Sequence, residues 1–360
     1  MSQSAALTRD PDRPLAGLPS CADLPEREGL GEPLGEEYPA GFLLDGRFEL
    51  RETIGRSGMA TIYRAFDRAS GSPVAVKVPL MRIESDPATF GRFEREARIG
   101  ALFSDPPLLR FVPVAGQRSR PYIVTEFLDG CTLALVMHRT RPIPEAEALV
   151  IAAAACSAVG RMHEKGILHR DLKPSNIMVC RDGRLCLMDF GLSAETGSDR
   201  GLLSKLTPLF GTPEYMAPEQ VRSASNDERT DLYSLGAILY QMLTGVLPFQ
   251  ANDPWAGAQM RVTGDPPAPR SVNPAITEAA EEITLHAMRR RPAERYPTAA
   301  SFQAELEVPS AVHVTGLSSR LRSPRFRISL NGTPFIAGAL IGAGVLLSLV
   351  ALFLALVHRR

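Results

Sequence analysis

A segment in the middle of the chain carries side chains that could together transfer a phosphoryl group. Asp171 can accept the proton of a hydroxyl, and Lys173 can neutralise a phosphate in transit. Asn176 and Asp189 can hold a divalent metal through oxygen atoms, and Arg170 can receive a phosphate from elsewhere in the chain. This order and spacing predicts phosphoryl transfer from ATP, with Asp171 and Lys173 as the catalytic residues.

Two tripeptides in this segment, HRD at 169–171 and DFG at 189–191, occur together with the amide of Asn176 between them. Either tripeptide alone arises by chance in many chains, but the combination is specific. On these residues the chain resembles the serine/threonine protein kinases, and in detail the eukaryotic-like (Hanks-type) kinases of bacteria. The resemblance covers residues 46–307. It implies ATP as the phosphoryl donor, proteins as acceptors, and Mg²⁺ at Asn176 and Asp189, with Mn²⁺ as an alternative.

Hydrophobic patterning predicts the elements that must position these residues. Before Gly130, short alternating runs predict strands and one amphipathic stretch predicts a helix, whereas the patterns after Gly130 are mainly helical. A strand-rich N-lobe (46–129) followed by a helical C-lobe (130–307) predicts an α+β, two-lobed protein kinase fold with the ligand in the cleft. The predicted strands are 48–51, 62–65, 74–78 and 122–127, and the predicted helices are 88–103, 144–164, 227–244, 276–289 and 298–307.

The loop between the first two strands would hold the ATP phosphates through backbone N–H groups. The family pattern places three glycines in this loop. Gly55 matches the first, Ser57 and Ala60 stand at the second and third positions, and Gly58 keeps the loop flexible. By resemblance, the nucleotide would contact Ile54, Gly55, Gly58, Ile62, Ala75, Lys77, Glu96, Thr125, Glu126 and Leu128.

Lys77, which lies among apolar residues of a strand, would pair the α- and β-phosphates of ATP. An acidic residue of the small-lobe helix would hold this lysine in place. We prefer Glu96 for this role, because Glu94 lies about 200° away around the helix. Backbone groups of Glu126 and Leu128 would bond the adenine edge.

Residues 189–219 resemble an activation segment, which ends at an Ala-Pro-Glu tripeptide. Arg170 would bind a phosphate that arrives on this segment. Thr207 is the first candidate for the phosphorylated residue and Ser204 the second. Thr212 would bond the two catalytic residues and shape the acceptor site. An ordered segment that is never phosphorylated remains the alternative.

Two further carboxylates are expected to support the site without taking part in the chemistry. Glu219 matches a family glutamate that pairs with an arginine, and Arg295 matches that arginine. Asp231, near the start of a very apolar helix, would cap the backbone of the catalytic loop.

Composition bounds the remaining possibilities. The chain is 44% hydrophobic and 22% charged, which predicts a substantial folded core. The formal net charge is zero, which argues against nucleic acid as a partner. The five cysteines show no metal-binding spacing, so we expect reduced and mostly structural thiols.

Residues 1–41 are rich in proline and glycine, which predicts a disordered arm. The N-terminal region has no apolar stretch of the kind found in signal peptides, so we expect no cleaved signal peptide.

The stretch 335–357 is uncharged and contains one polar side chain, Ser348. As a helix its 23 residues would extend roughly 34 Å, enough to span a hydrocarbon core of about 30 Å. Arginines are more frequent in the basic linker at 308–334 than after the stretch, which predicts a single-pass cell-membrane anchor with the kinase domain in the cytoplasm. Little of the chain would lie beyond this C-terminal transmembrane helix. Gly338 and Gly342 form a small-residue motif that could support a homodimer.

The residues leave two readings of the activity. A serine/threonine protein kinase, including one that phosphorylates itself, is favoured because none of the residues needed for transfer is missing. The alternative is a membrane-tethered pseudokinase scaffold that binds nucleotide without turnover. Ser57 and Ala60 in the glycine-rich loop are its only support.

Overall fold

The computed structural model describes residues 37–104, 106–195, 213–222, 224–251 and 253–324. Most of the arm at 1–41 and all of the stretch 335–357 lie outside these residues. So do Ser204, Thr207 and Thr212.

A five-stranded antiparallel sheet forms the first lobe, with its strands in sequence order. Burial alternates along the third and fourth strands, so that one face of the sheet forms the lobe's core, as the period of two predicts. The predicted strands and the helix at 88–103 are confirmed, with shifted ends. The elements of this lobe are β1 (Leu43–Leu44), β2 (Phe48–Arg56), β3 (Ala60–Asp67), β4 (Ser72–Pro79), α1 (Met81–Glu84), α2 (Pro87–Gly100) and β5 (Ile123–Glu126).

Helices form most of the second lobe. One of them, at 228–244, has 14 buried residues among its 17, so it is the central helix of this lobe. It begins after a capping aspartate, Asp227, and ends at Gly245, whose φ of 75° suits glycine. The helices are α3 (Leu133–Arg139), α4 (Glu145–His163), α5 (Pro218–Val221), α6 (Glu228–Thr244), α7 (Pro254–Thr263), α8 (Pro269–Val272), α9 (Glu278–Ala287) and α10 (Ala299–Glu307).

The four helices predicted in this lobe, α4, α6, α9 and α10, are confirmed to within two residues at each end. The other four helices, α3, α5, α7 and α8, were not predicted. Two of them, α5 and α8, have four residues each, which is too short for a helical period, and α7 contains Gly257.

Short strands carry the polar segments between the lobes. The pairs are β7 (Ile167–Leu168) with β10 (Ala194–Glu195), and β8 (Ile177–Cys180) with both β6 (Gly130–Thr132) and β9 (Leu185–Leu187). Residues 169–176 join β7 to β8, and residues 188–193 join β9 to β10. Both predicted motifs therefore lie in connections whose two ends are fixed by strand pairing.

Cysteine chemistry differs in one place from the expectation. Cys156, Cys180 and Cys186 are free and buried, as expected of structural thiols. Cys131 is disulfide-bonded, so the expectation of reduced thiols is wrong there. The spacing of cysteines along the chain does not determine which of them the fold brings together.

No helix within the described ranges is long and apolar enough to cross a membrane. The predicted span at 335–357 lies outside the described ranges.

The segment that follows α10 packs against the second lobe. The backbone N–H groups of Thr315 and Leu317 donate hydrogen bonds of 2.9 and 3.1 Å to the buried carboxylate of Glu282 on α9. Further along, the N–H of Asp265 donates to the carbonyl of Arg322 at 2.8 Å. Residues 309–324, which the sequence suggested were linker, therefore contribute contacts to the lobe. The domain boundary at 307 stays a prediction.

Glu282→Gln should destabilise the folded chain by about 1–3 kcal/mol, because charge-assisted hydrogen bonds to the 315–317 segment are lost. Burial by itself would raise the pKa of Glu282, but the bonds from Thr315 and Leu317 lower it below its ordinary value of 4.5. The carboxylate therefore stabilises the fold above that pH and loses its effect as the pH falls below it. Urea unfolding of both chains at pH 7 and at pH 3.5 should show the difference shrinking at the lower pH.

Glu278→Gln is the matched control. Glu278 lies on the same helix and pairs with Arg270 at 2.9 Å, but its side chain is 65% exposed. Exposed pairs contribute little, so this change should cost less than about 1 kcal/mol. Equal effects of the two substitutions at pH 7 would show that the tail contacts do not stabilise the lobe.

Candidate active site

The glycine-rich loop connects β2 to β3, and a serine closes its turn. The Oγ of Ser57 accepts hydrogen bonds from the N–H groups of Ala60 at 3.0 Å and Met59 at 3.3 Å. The N–H of Ser57 donates to the carbonyl of Ala60 at 2.9 Å. The serine at the second glycine position therefore acts as an internal cap of the loop, which explains how the loop forms without the glycine.

Strand pairing brings the predicted nucleotide residues side by side. Ile62 on β3 pairs with Lys77 on β4 and also with Gly55 on β2. Ala75 on β4 pairs with Thr125 on β5. The sheet thus aligns residues that are far apart in the sequence along one end of the lobe.

Lys77 forms a buried ion pair with Glu96 on α2. Its Nζ lies 2.6 Å from Oε2 and 2.8 Å from Oε1 of Glu96, and the two side chains are 16% and 8% exposed. Burial alone would lower the pKa of Lys77, but the charges of Glu96 and Asp189 raise it. The lysine therefore stays charged, and the choice of Glu96 over Glu94 as its partner is confirmed.

A buried carboxylate on α6 holds the start of the catalytic loop. Asp231 accepts hydrogen bonds of 2.9 Å from the backbone N–H groups of His169 and Arg170, and its Oδ2 lies 2.9 Å from Nε2 of His163. Burial would raise the pKa of Asp231, but the bond to His163 and the backbone N–H groups lower it. These bonds fix Arg170 in a left-handed conformation with a φ of 68°, and the predicted capping role of Asp231 is confirmed.

The catalytic loop brings three polar side chains together. Nζ of Lys173 donates to Oδ2 of Asp171 at 2.8 Å. Nδ2 of Asn176 donates to the backbone carbonyl of Asp171, also at 2.8 Å. Since the amide nitrogen of Asn176 is used in this way, its oxygen is the atom of this side chain that could bind a metal.

Asp189 follows β9 in a left-handed conformation with a φ of 62°. Its Oδ1 accepts a hydrogen bond of 3.2 Å from the N–H of Gly191. Burial would raise the pKa of Asp189, but the charge of Lys77 and the Gly191 bond lower it, so the carboxylate is held ionised. Phe190 between them is fully buried and its ring packs against His169, which fixes the segment to the catalytic loop.

A cavity of about 500 Å³ lies between the glycine-rich loop, α2, the catalytic loop and the segment that begins at Asp189. Six predicted site residues line it: Gly58, Lys77, Glu96, Asp171, Lys173 and Asp189. The other predicted site residues lie outside its walls: Ile54, Gly55, Ile62, Ala75, Thr125, Glu126, Leu128 and Asn176. Of these, Leu128 is buried beside Met178 and Cys186 in the hinge, the segment 126–129 that connects the two lobes.

Sequence reasoning missed one charged residue of the cavity wall. Arg92 on α2 is 8% exposed and lies one helical turn before Glu96. Burial lowers the pKa of this arginine from its ordinary value. The spacing of four residues from Glu96 was the available signal, because it places both side chains on the same helix face.

The expected supporting ion pair is present. Arg295 donates to the two carboxylate oxygens of Glu219 at 2.7 and 2.8 Å, and both side chains are buried. Thr230 on α6 adds a hydrogen bond of 2.9 Å to the same carboxylate. The end of the activation segment is therefore fixed to the second lobe.

The donor set suits a small hard cation. Asp189 and Asn176 offer carboxylate and amide oxygens, the ligands that Mg²⁺ prefers, and Mg²⁺ commonly takes only one or two protein ligands and keeps phosphates and water as the others. Among the described residues, no group of three or more His, Cys, Asp or Glu side chains is placed to hold a metal ion.

A family model described as the protein kinase domain matches residues 48–304. This chain belongs to the protein kinase family. The chain matches relatives named serine/threonine-protein kinase PknB from Mycolicibacterium smegmatis, at 36% identity over 73% of this chain, and from Mycobacterium tuberculosis, at 35% identity over 73% of this chain. The matched region spans 43% of the length of these relatives.

The fold has counterparts among solved structures. The kinase domain of Mycobacterium tuberculosis PknI superimposes with a TM-score of 0.59 and 23% identity, covering 76% of this chain and 100% of that domain. The two-lobed protein kinase fold expected from the sequence is therefore confirmed.

Proposed function

We propose that this kinase transfers the γ-phosphoryl group of Mg·ATP to Ser or Thr hydroxyls of proteins, including its own. The observation that carries the proposal is the cavity in which Lys77, Glu96, Asp171, Lys173 and Asp189 meet. It collects a phosphate-binding cation, a metal-binding carboxylate and a hydroxyl-binding carboxylate within one cleft. Relatives named serine/threonine kinases add support.

Each group would take one part of the transfer. The carboxylate of Asp171 receives the proton of the acceptor hydroxyl, whose oxygen forms the new bond to phosphorus. The bond from the γ-phosphorus to the bridging oxygen breaks, and ADP leaves. Lys173, which is already within hydrogen-bonding distance of Asp171, balances the negative charge of the phosphoryl group in transit.

The nucleotide would lie between the glycine-rich loop and the hinge. Lys77 binds the α- and β-phosphates, the loop at Gly55 and Gly58 covers them, and the hinge backbone at Glu126 and Leu128 bonds the adenine. The remaining predicted contacts are Ile54, Ile62, Ala75 and Thr125. Asn176 and Asp189 would hold Mg²⁺, which would supply positive charge at the phosphates, and Mn²⁺ could replace it.

Asp171→Asn should strongly reduce transfer while ATP still binds, because the amide cannot take the hydroxyl proton. We expect a fall of about 10²–10⁴-fold in labelling of protein Ser and Thr from γ-labelled ATP and Mg²⁺. Asp182→Asn is the matched control, since Asp182 is an exposed residue paired only with Arg184 in its own turn. Its label should equal that of the unchanged chain.

The same assay separates the competing readings. Measurable ATP binding by the unchanged chain with no label on itself or on a general protein acceptor would favour a pseudokinase scaffold. Sites of label that map outside residues 193–212 would contradict the assignment of Thr207 and Ser204 and leave the activity standing.

We also propose that the stretch 335–357 anchors the kinase in the cell membrane, with the catalytic domain in the cytoplasm. Its length and lack of charge support a single span, and the arginines before it support this orientation. The pair Gly338 and Gly342 would allow two spans to approach and form a homodimer.

Membrane fractionation tests the anchor. The full chain should stay in the membrane pellet after an alkaline carbonate wash, whereas a chain ending at residue 330 should remain in the supernatant. Release of the full chain by carbonate would contradict a spanning helix.

A further inference from the structure

In the described part of the chain, Arg261 on α7 is the largest residue that has less than 2% of its surface exposed. Its guanidinium packs over the ring of Phe249, with 5.4 Å from the central carbon to the ring centroid. The simplest explanation of its burial is that Arg261 only fills space in the core of the lobe. However, an apolar side chain would fill this space without the cost of removing a cation from water.

The hydrogen bonds of Arg261 all go to one turn of the chain. Nη1 donates to the carbonyl of Pro213 and, at 3.3 Å, to that of Met216, while Nη2 donates to the carbonyl of Glu214 at 2.8 Å. One rigid guanidinium thus holds three carbonyls that belong to four consecutive residues. A lysine could not reach all three, because its ammonium is a single point on a flexible chain.

The turn that Arg261 holds is a single 3₁₀ turn at 213–215, so it has few backbone hydrogen bonds of its own. Its remaining carbonyl, on Tyr215, accepts a bond of 2.9 Å from Ser234 on α6. Every carbonyl from Pro213 to Met216 is therefore held by a side chain of the second lobe. The position of the turn depends on these side chains and not on regular secondary structure.

A glutamine connects this turn to the catalytic loop. Oε1 of Gln220 accepts from the N–H of Ala217 at 2.8 Å, and Nε2 of Gln220 donates to the carbonyl of Arg170 at 2.9 Å. Arg170 immediately precedes Asp171. The turn is therefore fixed relative to the carboxylate that would receive the acceptor proton.

We propose that Arg261 is a positioning residue for the protein acceptor. It fixes the turn at 213–216, which Gln220 connects to the residue before Asp171, and the proposal places the acceptor segment along this turn. This inference rests on the proposed kinase function. It assigns Arg261 an effect on the acceptor and none on the nucleotide, because its contacts are to residues 213–216 and to Phe249, none of which lines the cavity that holds Lys77 and Asp189.

Steady-state kinetics of the full chain with myelin basic protein as acceptor tests the proposal. Arg261→Met should raise the KM for the acceptor about tenfold or more, since small displacements of a reacting group are costly. The KM for ATP should stay within about twofold of the unchanged chain. Arg261→Lys should give an intermediate acceptor KM, because a lysine can hold only part of the turn.

Arg222→Met is the matched control. Arg222 also donates to a backbone carbonyl, that of Val262 on α7, at 2.9 Å, but it does not contact the turn. Both KM values should be unchanged in this variant. Thermal melts of all variants report whether each is folded, and if Arg261→Met does not fold, Arg261→Lys decides.

An acceptor KM that stays unchanged in folded Arg261→Lys would overturn the proposal. Equal increases in the KM for ATP and the KM for the acceptor would also overturn it, because a merely structural role would produce them. An unchanged chain that transfers no label to any acceptor contradicts the proposed function itself, and the inference then falls with it.

Discussion

The buried ion pair between Lys77 and Glu96 is the interaction on which the rest of the site depends. It joins the sheet of the first lobe to α2, and the charge of Asp189 from the second lobe acts on the same lysine. A buried charge that loses its partner is strongly unfavourable. The arrangement of β4, α2 and the segment at 189–191 is therefore cooperative, because the carboxylates of Glu96 and Asp189 both help to keep the buried Lys77 charged.

A second set of contacts fixes the catalytic loop from below. Asp231 accepts hydrogen bonds from the backbone N–H groups of His169 and Arg170. Because Arg170 is left-handed, these N–H groups do not belong to a regular strand or helix, and the carboxylate supplies the partner that they need. Phe190 packs against His169 and fixes the segment at 189–191 to the loop. The unusual backbone conformations of Arg170 and Asp189 thus occur where surrounding contacts determine them.

Much of this arrangement could be predicted from the sequence. The strands and the long helices followed from periodicity. The pairs of Lys77 with Glu96 and of Glu219 with Arg295 followed from the resemblance to the protein kinases. The role of Ser57 as a cap of its loop, the disulfide at Cys131 and the contacts of Arg261 could not be predicted, because they depend on which distant segments the fold brings together. The docking of residues 315–317 onto Glu282 was missed for the same reason, since that segment carries no periodic pattern.

The most direct test is the energetic coupling between Lys77 and Glu96, measured by kcat/KM for phosphoryl transfer from ATP. Lys77→Met and Glu96→Gln should each lower it by about 10²-fold or more, and the double variant should be little worse than Lys77→Met alone. Glu94→Gln, on the same helix but away from the lysine, should be neutral. Full activity in Glu96→Gln, or losses that simply add in the double variant, would contradict the account.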